Sequence, residues 1–184
     1  FKYYAGPILE DYVLRGGDLV VTMTDLSVDA DTLGYSAVIP SDPNVRFLHN
    51  QRVGLVQKIS EEIDLGFLHY LMRTREYQSY IVGGASGSTV KHTSPDRIAS
   101  YEYNFPSLRI QKKISDVLAA YDEKIENNDK IIKDLETMAQ VIFDEGFVKF
   151  RFPGHEKVKM AESEMGEIPE GWAVRKIGDV MELA

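Results

Sequence analysis

The chain has 184 residues, 43% of them hydrophobic and 27% charged, and a net charge of −8. That is room for one ordinary domain, or a small domain plus an extension, with enough apolar material for a buried core. The absence of cysteine excludes a disulfide scaffold, a thiolate zinc site and a cysteine nucleophile. No run of 18 apolar residues is present to cross a membrane, and no basic stretch precedes an apolar one as in a signal peptide, so the expected location is the cytoplasm. The acidic balance argues against simple electrostatic DNA binding by the whole surface. The charge is uneven, however. Residues 1–42 carry two basic and seven acidic side chains, for −5, whereas residues 43–97 carry seven basic and five acidic ones, for +2. Three histidines (His49, His69 and His92) fall in that second window, which is the better candidate to touch phosphate.

Gly16-Gly17 and the apolar run that follows predict a turn and then a strand over 18–23. Residues 25–34 read as a loop, and 35–39 and 46–49 as short strands around Pro40 and Pro43. Alternation of Val53, Leu55 and Ile59 with polar residues predicts a strand over 52–59. Leu65, Leu68, Leu71, Met72 and Tyr77 recur at helical spacing across 64–82, with Asp64 as N-cap. Residues 83–88 form a loop. Ser94-Pro95 reads as a cap and first helical position, and 101–105 as a strand stopped by Pro106. Such a mixture makes an α+β domain.

From Ser107 the character changes, since residues 107–145 contain neither glycine nor proline. They predict a helix of roughly 57 Å at ~1.5 Å per residue. Ile114, Leu118, Tyr121, Ile125, Asn128, Ile132, Leu135, Ala139 and Ile142 alternate in steps of four and three, a coiled-coil seam over four heptads. A stripe of that length needs a partner helix, and a polar residue such as Asn128 within it fixes register. Gly146 is expected to end the helix, 146–171 to form a linker, and 172–180 to start a new strand and helix. The sequence opens at Phe1 without methionine and stops as that new segment begins, so it reads as a fragment of a longer chain.

Candidate chemistry is sparse. Asp96 with Asp122, Glu123 and Lys124 loosely matches the acidic and lysine set of metal-dependent nucleases, but Asp122 and Lys124 lie mid-helix and point apart. No two histidines stand at ligand spacing, and His69 reads as a half-buried core residue, so neither a metal site nor a catalytic residue is assigned. Asn104-Phe105-Pro106 has the wrong order for an amino-methyltransferase motif, and 83–87 lacks the lysine of a phosphate loop. Two short polar stretches have chemistry suited to DNA. Asn50-Gln51-Arg52 offers amides and a guanidinium, and Ser88, Thr89, Lys91 and His92 place hydroxyls, a cation and an imidazole on one loop. Thr22 and Thr24 are weaker candidates. Taken alone, the stretch around Lys91 reads more readily as an ordinary polar turn, and Asn50-Gln51-Arg52 equally suits a solvated strand end.

In order, residues 17–24 (Gly-Asp-Leu-Val-Val-Thr-Met-Thr), 48–54 (Leu-His-Asn-Gln-Arg-Val-Gly), 87–92 (Gly-Ser-Thr-Val-Lys-His) and 105–114 (Phe-Pro-Ser-Leu-Arg-Ile-Gln-Lys-Lys-Ile), with the long helix behind them, resemble the specificity (S) subunit of type I restriction-modification systems. Residues 164–172 resemble the start of such a protein's next target-recognition domain. The resemblance implies a target-recognition domain (C-terminal part, 1–106), a long coiled-coil spacer helix (107–145), a linker (146–171) and the beginning of a second domain (172–184). It implies recognition of double-stranded DNA at a bipartite site, without catalysis by this chain. Methylation subunits using S-adenosylmethionine, and restriction subunits using ATP and magnesium, would be its partners. The seam (Ile114, Leu118, Tyr121, Ile125, Asn128, Ile132, Leu135, Ile142) would pair with a second helix, possible in a second copy. The competing reading is a coiled-coil interaction module whose α/β head binds protein and not DNA.

Overall fold

The Gly16-Gly17 turn, with Gly17 at φ +91°, delivers the chain into its central strand. The computed structural model describes residues 3–27, 29–87 and 90–182. In chain order the strands and helices are β1 (Val13–Leu14), β2 (Leu19–Thr22), β3 (Thr24–Asp25), β4 (Ser36–Val38), β5 (Phe47–Leu48), β6 (Val53–Leu55), α1 (Leu65–Leu71), α2 (Arg75–Gly83), β7 (Lys91–His92), α3 (Pro95–Ala99), α4 (Leu108–Phe143), β8 (Met160–Ser163) and β9 (Gly166–Pro169). The chain divides into two compact units, Phe1–Asp122 and Glu123–Ala184.

In the first unit an antiparallel sheet runs β4-β2-β6, with Val20 opposite Ala37 on one side and Leu55 on the other. The two-stranded pairs β1-β5 and β3-β7 accompany it. The core joins Val21, Ala30, Leu33, Met72, Tyr77 and Ile81. The first three residues of β2, Leu19, Val20 and Val21, are all buried, so the strand does not alternate. Gly34 sits at φ +81°, and a Cβ there would stand 2.9 Å from Ile81, so glycine lets the loop close over α2.

The predicted helix over 64–82 is two helices. Asp64 caps α1 by accepting from the Phe67 amide at 2.8 Å, as expected. Thr74 then adopts extended geometry and caps α2. A threonine in mid-pattern offers a new start, and the helix takes it. Ser94 caps α3, with Pro95 opening it. Of the strand expected over 52–59, only Val53–Leu55 pairs. Thr24 and Asp25 pair as β3 where a loop was expected to begin. The aromatic stretch 101–105 is no strand. Its alternating side chains pack on the helices instead: Tyr101 on Tyr77 at 5.1 Å, and Tyr103 and Phe105 on Phe67 at 6.2 and 6.3 Å between centroids. Period-two patterning here serves aromatic docking, not a ladder.

Helix α4 begins where the junction after Pro106 predicts. Its end differs from expectation: a π-helical turn, Asp144–Val148, carries the chain through Gly146, with the Lys149 amide donating to the Asp144 carbonyl at 2.8 Å. Within the second unit Phe143 stacks on Phe147, and Trp172 packs on Phe147 and Phe150. The expected linker holds a β-hairpin, β8-β9, closed by a two-residue turn at Glu164-Met165. After Trp172, among the described residues, only a 3-10 turn at Ile177–Asp179 forms, and the expected strand is absent.

Candidate nucleic-acid interface

The DNA-suited residues lie far apart in sequence, and one short segment, Thr22–Asp25, gathers most of them. Thr22 pairs with Val53, and the Met23 amide donates to the Arg52 carbonyl at 2.9 Å, which ties the Gln51-Arg52 turn to the end of β2. From the other side β7 pairs with β3, setting His92 opposite Thr24 and Lys91 opposite Asp25. Thr93 closes the arrangement by donating its amide to the Met23 carbonyl at 3.0 Å. Ser88 and Thr89 lie outside the described residues.

Each side chain is placed by local chemistry. Asn50 accepts from the Arg52 amide through its own side chain at 2.8 Å, an Asx turn that leaves Gln51 and Arg52 exposed. Across the β3-β7 pair, Thr24 Oγ1 lies 3.1 Å from His92 Nδ1, a hydrogen bond that orients the imidazole. Lys91 is half-buried, and neither Arg52 nor Lys91 forms an ion pair among the described residues. Thr22 is half-buried, and its backbone is consumed by bonds to Tyr35 and Gly34, so it supports the segment more than it presents a side chain.

Beneath this lies Asp25, only 5% exposed. Its carboxylate accepts from the Ser27 amide at 2.7 Å, the Thr32 amide at 2.7 Å and the Thr32 hydroxyl at 2.8 Å. Burial alone pushes a carboxyl up, but these donors outweigh it and hold Asp25 well below the usual carboxylate range. A fixed anion thus organises the 25–32 loop behind β3.

His69 is half-buried on α1, as expected, with Ser36 Oγ 3.0 Å from its Nδ1. Burial and, secondly, Arg73 lower its pKa, against an opposing pull from Asp122. The Asp122 carboxylate accepts from Tyr70 at 2.8 Å, and this bond, after burial, pushes the Tyr70 hydroxyl up to about 12. Among the described residues no group of three His, Asp or Glu side chains comes together as metal ligands.

The sequence reading missed how the domain grips its helix. Gln111 and Ser115 are the buried residues of α4. Gln111 accepts from the Asp64 amide at 3.0 Å and donates to the Glu62 and Pro106 carbonyls at 3.0 and 2.8 Å. Ser115 donates to Asp64 Oδ1 at 2.8 Å. Gly66 makes the approach possible, since a Cβ there would stand 3.0 Å from that of Ser115. The available signal was the heptad itself: counted back seven residues from Leu118, Gln111 falls on the seam as a polar intruder. Beyond it Ile114 is 38% exposed and Leu118 37%, while Tyr121, Ile125, Ile132, Leu135 and Ile142 are more than half exposed.

A profile of the type I restriction modification DNA specificity domain matches residues 9–137. The chain belongs to this family. It is 33% identical over 118 residues to the MjaIX specificity subunit of Methanocaldococcus jannaschii, covering 64% of this chain and 27% of that protein. It is 29% identical to the MjaVIII specificity subunit of the same organism, covering 74% and 31%. The S subunit of a type I restriction-modification system from M. genitalium shares the fold, with a TM-score of 0.61 at 18% identity, over 74% of this chain and 34% of that one. The chain therefore spans about a third or less of the length of these relatives. The match favours the DNA-specificity reading over the interaction-module one.

Proposed function

We propose that this chain is a DNA sequence-recognition module of a type I restriction-modification enzyme, without catalysis of its own. The observation that carries the proposal is convergence: two polar stretches some forty residues apart in sequence are stitched to opposite sides of one segment, in a chain of the DNA specificity family. Gln51, Arg52, Lys91 and His92 are the proposed DNA contacts, with Thr24 orienting His92, and Ser88 and Thr89 are assigned to the same interface on sequence grounds. Arg52 and Lys91 suit phosphate or guanine edges, while Gln51 suits adenine.

In this reading 1–106 is the C-terminal part of a target-recognition domain, α4 is the spacer helix, and a second domain begins at 172. Double-stranded DNA is the ligand. Methylation and restriction subunits are the partners, and S-adenosylmethionine, ATP and magnesium belong to them. The enzyme works in the cytoplasm. The helix supports the partner reading through the width of its apolar surface. Besides the seam, Ile110, Val117, Ile131 and Met138 are exposed at a spacing of seven, or twice seven across Lys124. An apolar band three heptad positions wide exceeds the two that one pairing helix covers. One side suits a second spacer helix, from a second copy or a longer chain, and the other a partner subunit. The acidic residues elsewhere on the helix leave the cationic clamp on DNA to those subunits.

The test is the salt dependence of DNA binding, measured for the chain with and without methylation subunits. The expected result is a steeper slope with them, and a slope reduced by about one for each of R52A and K91A. Equal slopes throughout would contradict the proposal.

A further inference from the structure

The last arginine of the basic window, Arg97 on α3, is half-buried and forms no ion pair among the described residues. Its guanidinium lies over the Tyr80 ring of α2, with Cζ 3.5 Å from the centroid, and Nη2 donates to the Tyr80 carbonyl at 2.6 Å. The Tyr80 hydroxyl is 2.9 Å from Ser100 Oγ, which donates to the Arg97 carbonyl at 2.9 Å, so α2 and the end of α3 are tied through this side chain. Arg97 Nε is buried and has no hydrogen-bond partner. A buried donor left unanswered calls for a cause, and Gly84 supplies it. Gly84 follows α2 at φ −108°, a backbone that any residue adopts, so its glycine is not there for conformational freedom. It is there for space: a Cβ at 84 would stand 2.5 Å from Arg97 Nε and 2.9 Å from Cζ. The guanidinium occupies the room that a side chain at 84 would take.

Shortly beyond Gly84 the chain meets the candidate interface. The Ser86 amide donates to the His92 carbonyl at 3.0 Å, and the His92 amide donates back to the Ser86 carbonyl at 2.9 Å. His92 in turn stands opposite Thr24, and Lys91 opposite Asp25. Packing of Arg97 against Gly84 therefore fixes the start of a short path, Gly84-Ala85-Ser86, whose far end holds β7 on the side away from DNA contact. We propose that Arg97 is a positioning residue for DNA recognition: acting through Gly84 and Ser86, it sets how Lys91 and His92 are presented, without touching DNA itself. This rests on the DNA reading of the Thr22–Asp25 segment and adds to it a residue that governs discrimination between sequences.

Two variants test this by different routes. R97A deletes the guanidinium. G84A keeps it but takes its space, and the end of a flexible side chain moves aside without unfolding the domain, so G84A decides alone if R97A does not fold. Amide hydrogen exchange of the free chain gives the first readout. Both variants should speed exchange at Ser86 and His92 about tenfold or more, and leave the Thr22 and Val56 amides, bonded to Tyr35 and Leu19, as in the parent. DNA binding gives the second, measured in the complex with the proposed methylation subunits. The probes are a duplex recovered from a random pool by the parent complex and a shuffled duplex of equal length. Each variant should lower the preference for the recovered duplex about tenfold and leave the salt slope unchanged, whereas R52A and K91A each lower the slope by about one. In G84A/R97A the two losses should not add, because the space that G84A fills is already free. Acceleration at all four amides would make Arg97 a packing residue, a flatter salt slope in R97A would make it a phosphate contact, and additive losses would break its link to Gly84; each overturns the proposal. So does an intact preference in both variants, while R52A and K91A keep the DNA reading standing. Slopes unchanged by R52A and K91A would remove that reading, and this inference with it.

Discussion

The first turns of α4 and its later turns solve opposite problems with the same heptad. At the start, seam position 111 holds glutamine, and its amide completes three backbone groups of the recognition domain. Further along, the same seam holds isoleucine, leucine and tyrosine, left exposed by the described residues. A buried polar network is satisfied in one geometry only, so it fixes the direction in which the helix leaves the domain. An apolar stripe is less particular and supplies affinity for whatever helix pairs with it. Under the proposed function the division is apt: the polar network sets how the helix starts, and assembly is left to the stripe.

Gln111→Ala tests the first part of this contrast and has the largest expected effect. It strands the Asp64 amide and the Glu62 and Pro106 carbonyls, and should cost about 3–4 kcal/mol in urea unfolding. A loss below about 1 kcal/mol would mean that the apolar neighbours hold the helix. Leu118→Asp with Ile132→Asp tests the second part. It should weaken self-association by a hundredfold or more while leaving the urea unfolding free energy of the first unit within about 1 kcal/mol, and unchanged mass by light scattering would contradict the pairing seam.

Asp25→Asn asks whether the anchored loop is a third fixed element. Because the fold favours its ionised form, its contribution is complete above the ordinary carboxylate value near 4 and is lost as the pH falls below it. The variant should lose about 1–2 kcal/mol at pH 7 and show a flatter acid limb, read from unfolding between pH 2 and 7. Smallest in free energy, R52A and K91A should each cost about 1–1.5 kcal/mol of DNA affinity and leave stability unchanged.

Most of the fold was legible because its signals are local. Asp64, Ser94-Pro95 and the glycine-free run after Pro106 mark helix starts through capping chemistry, and α1, α3 and α4 begin there. The errors arose where a local pattern served a distant partner. Tyr101, Tyr103 and Phe105 alternate like a strand because they meet three ring systems on the helices. Thr74 broke a continuous apolar pattern that would otherwise support one long helix. The candidate site was legible as residue types, since Arg52 and Lys91 fall in the basic window. Their meeting on Thr22–Asp25 was not, because a β ladder between residues 24 and 92 leaves no mark on either stretch. Asp25 and Gln111 went unread for the same reason: each is ordinary in composition and defined by what it touches.

The most direct measurement is selection of bound duplexes from a random double-stranded DNA pool, by the chain assembled with the proposed methylation subunits. The half-site read by this domain is identified by repeating the selection with R52A/K91A. The account predicts that the double variant relaxes every half-site this domain reads, which is both halves where two copies of the chain assemble. A motif unchanged in both halves would contradict recognition through the Thr22–Asp25 segment and its two flanking stretches.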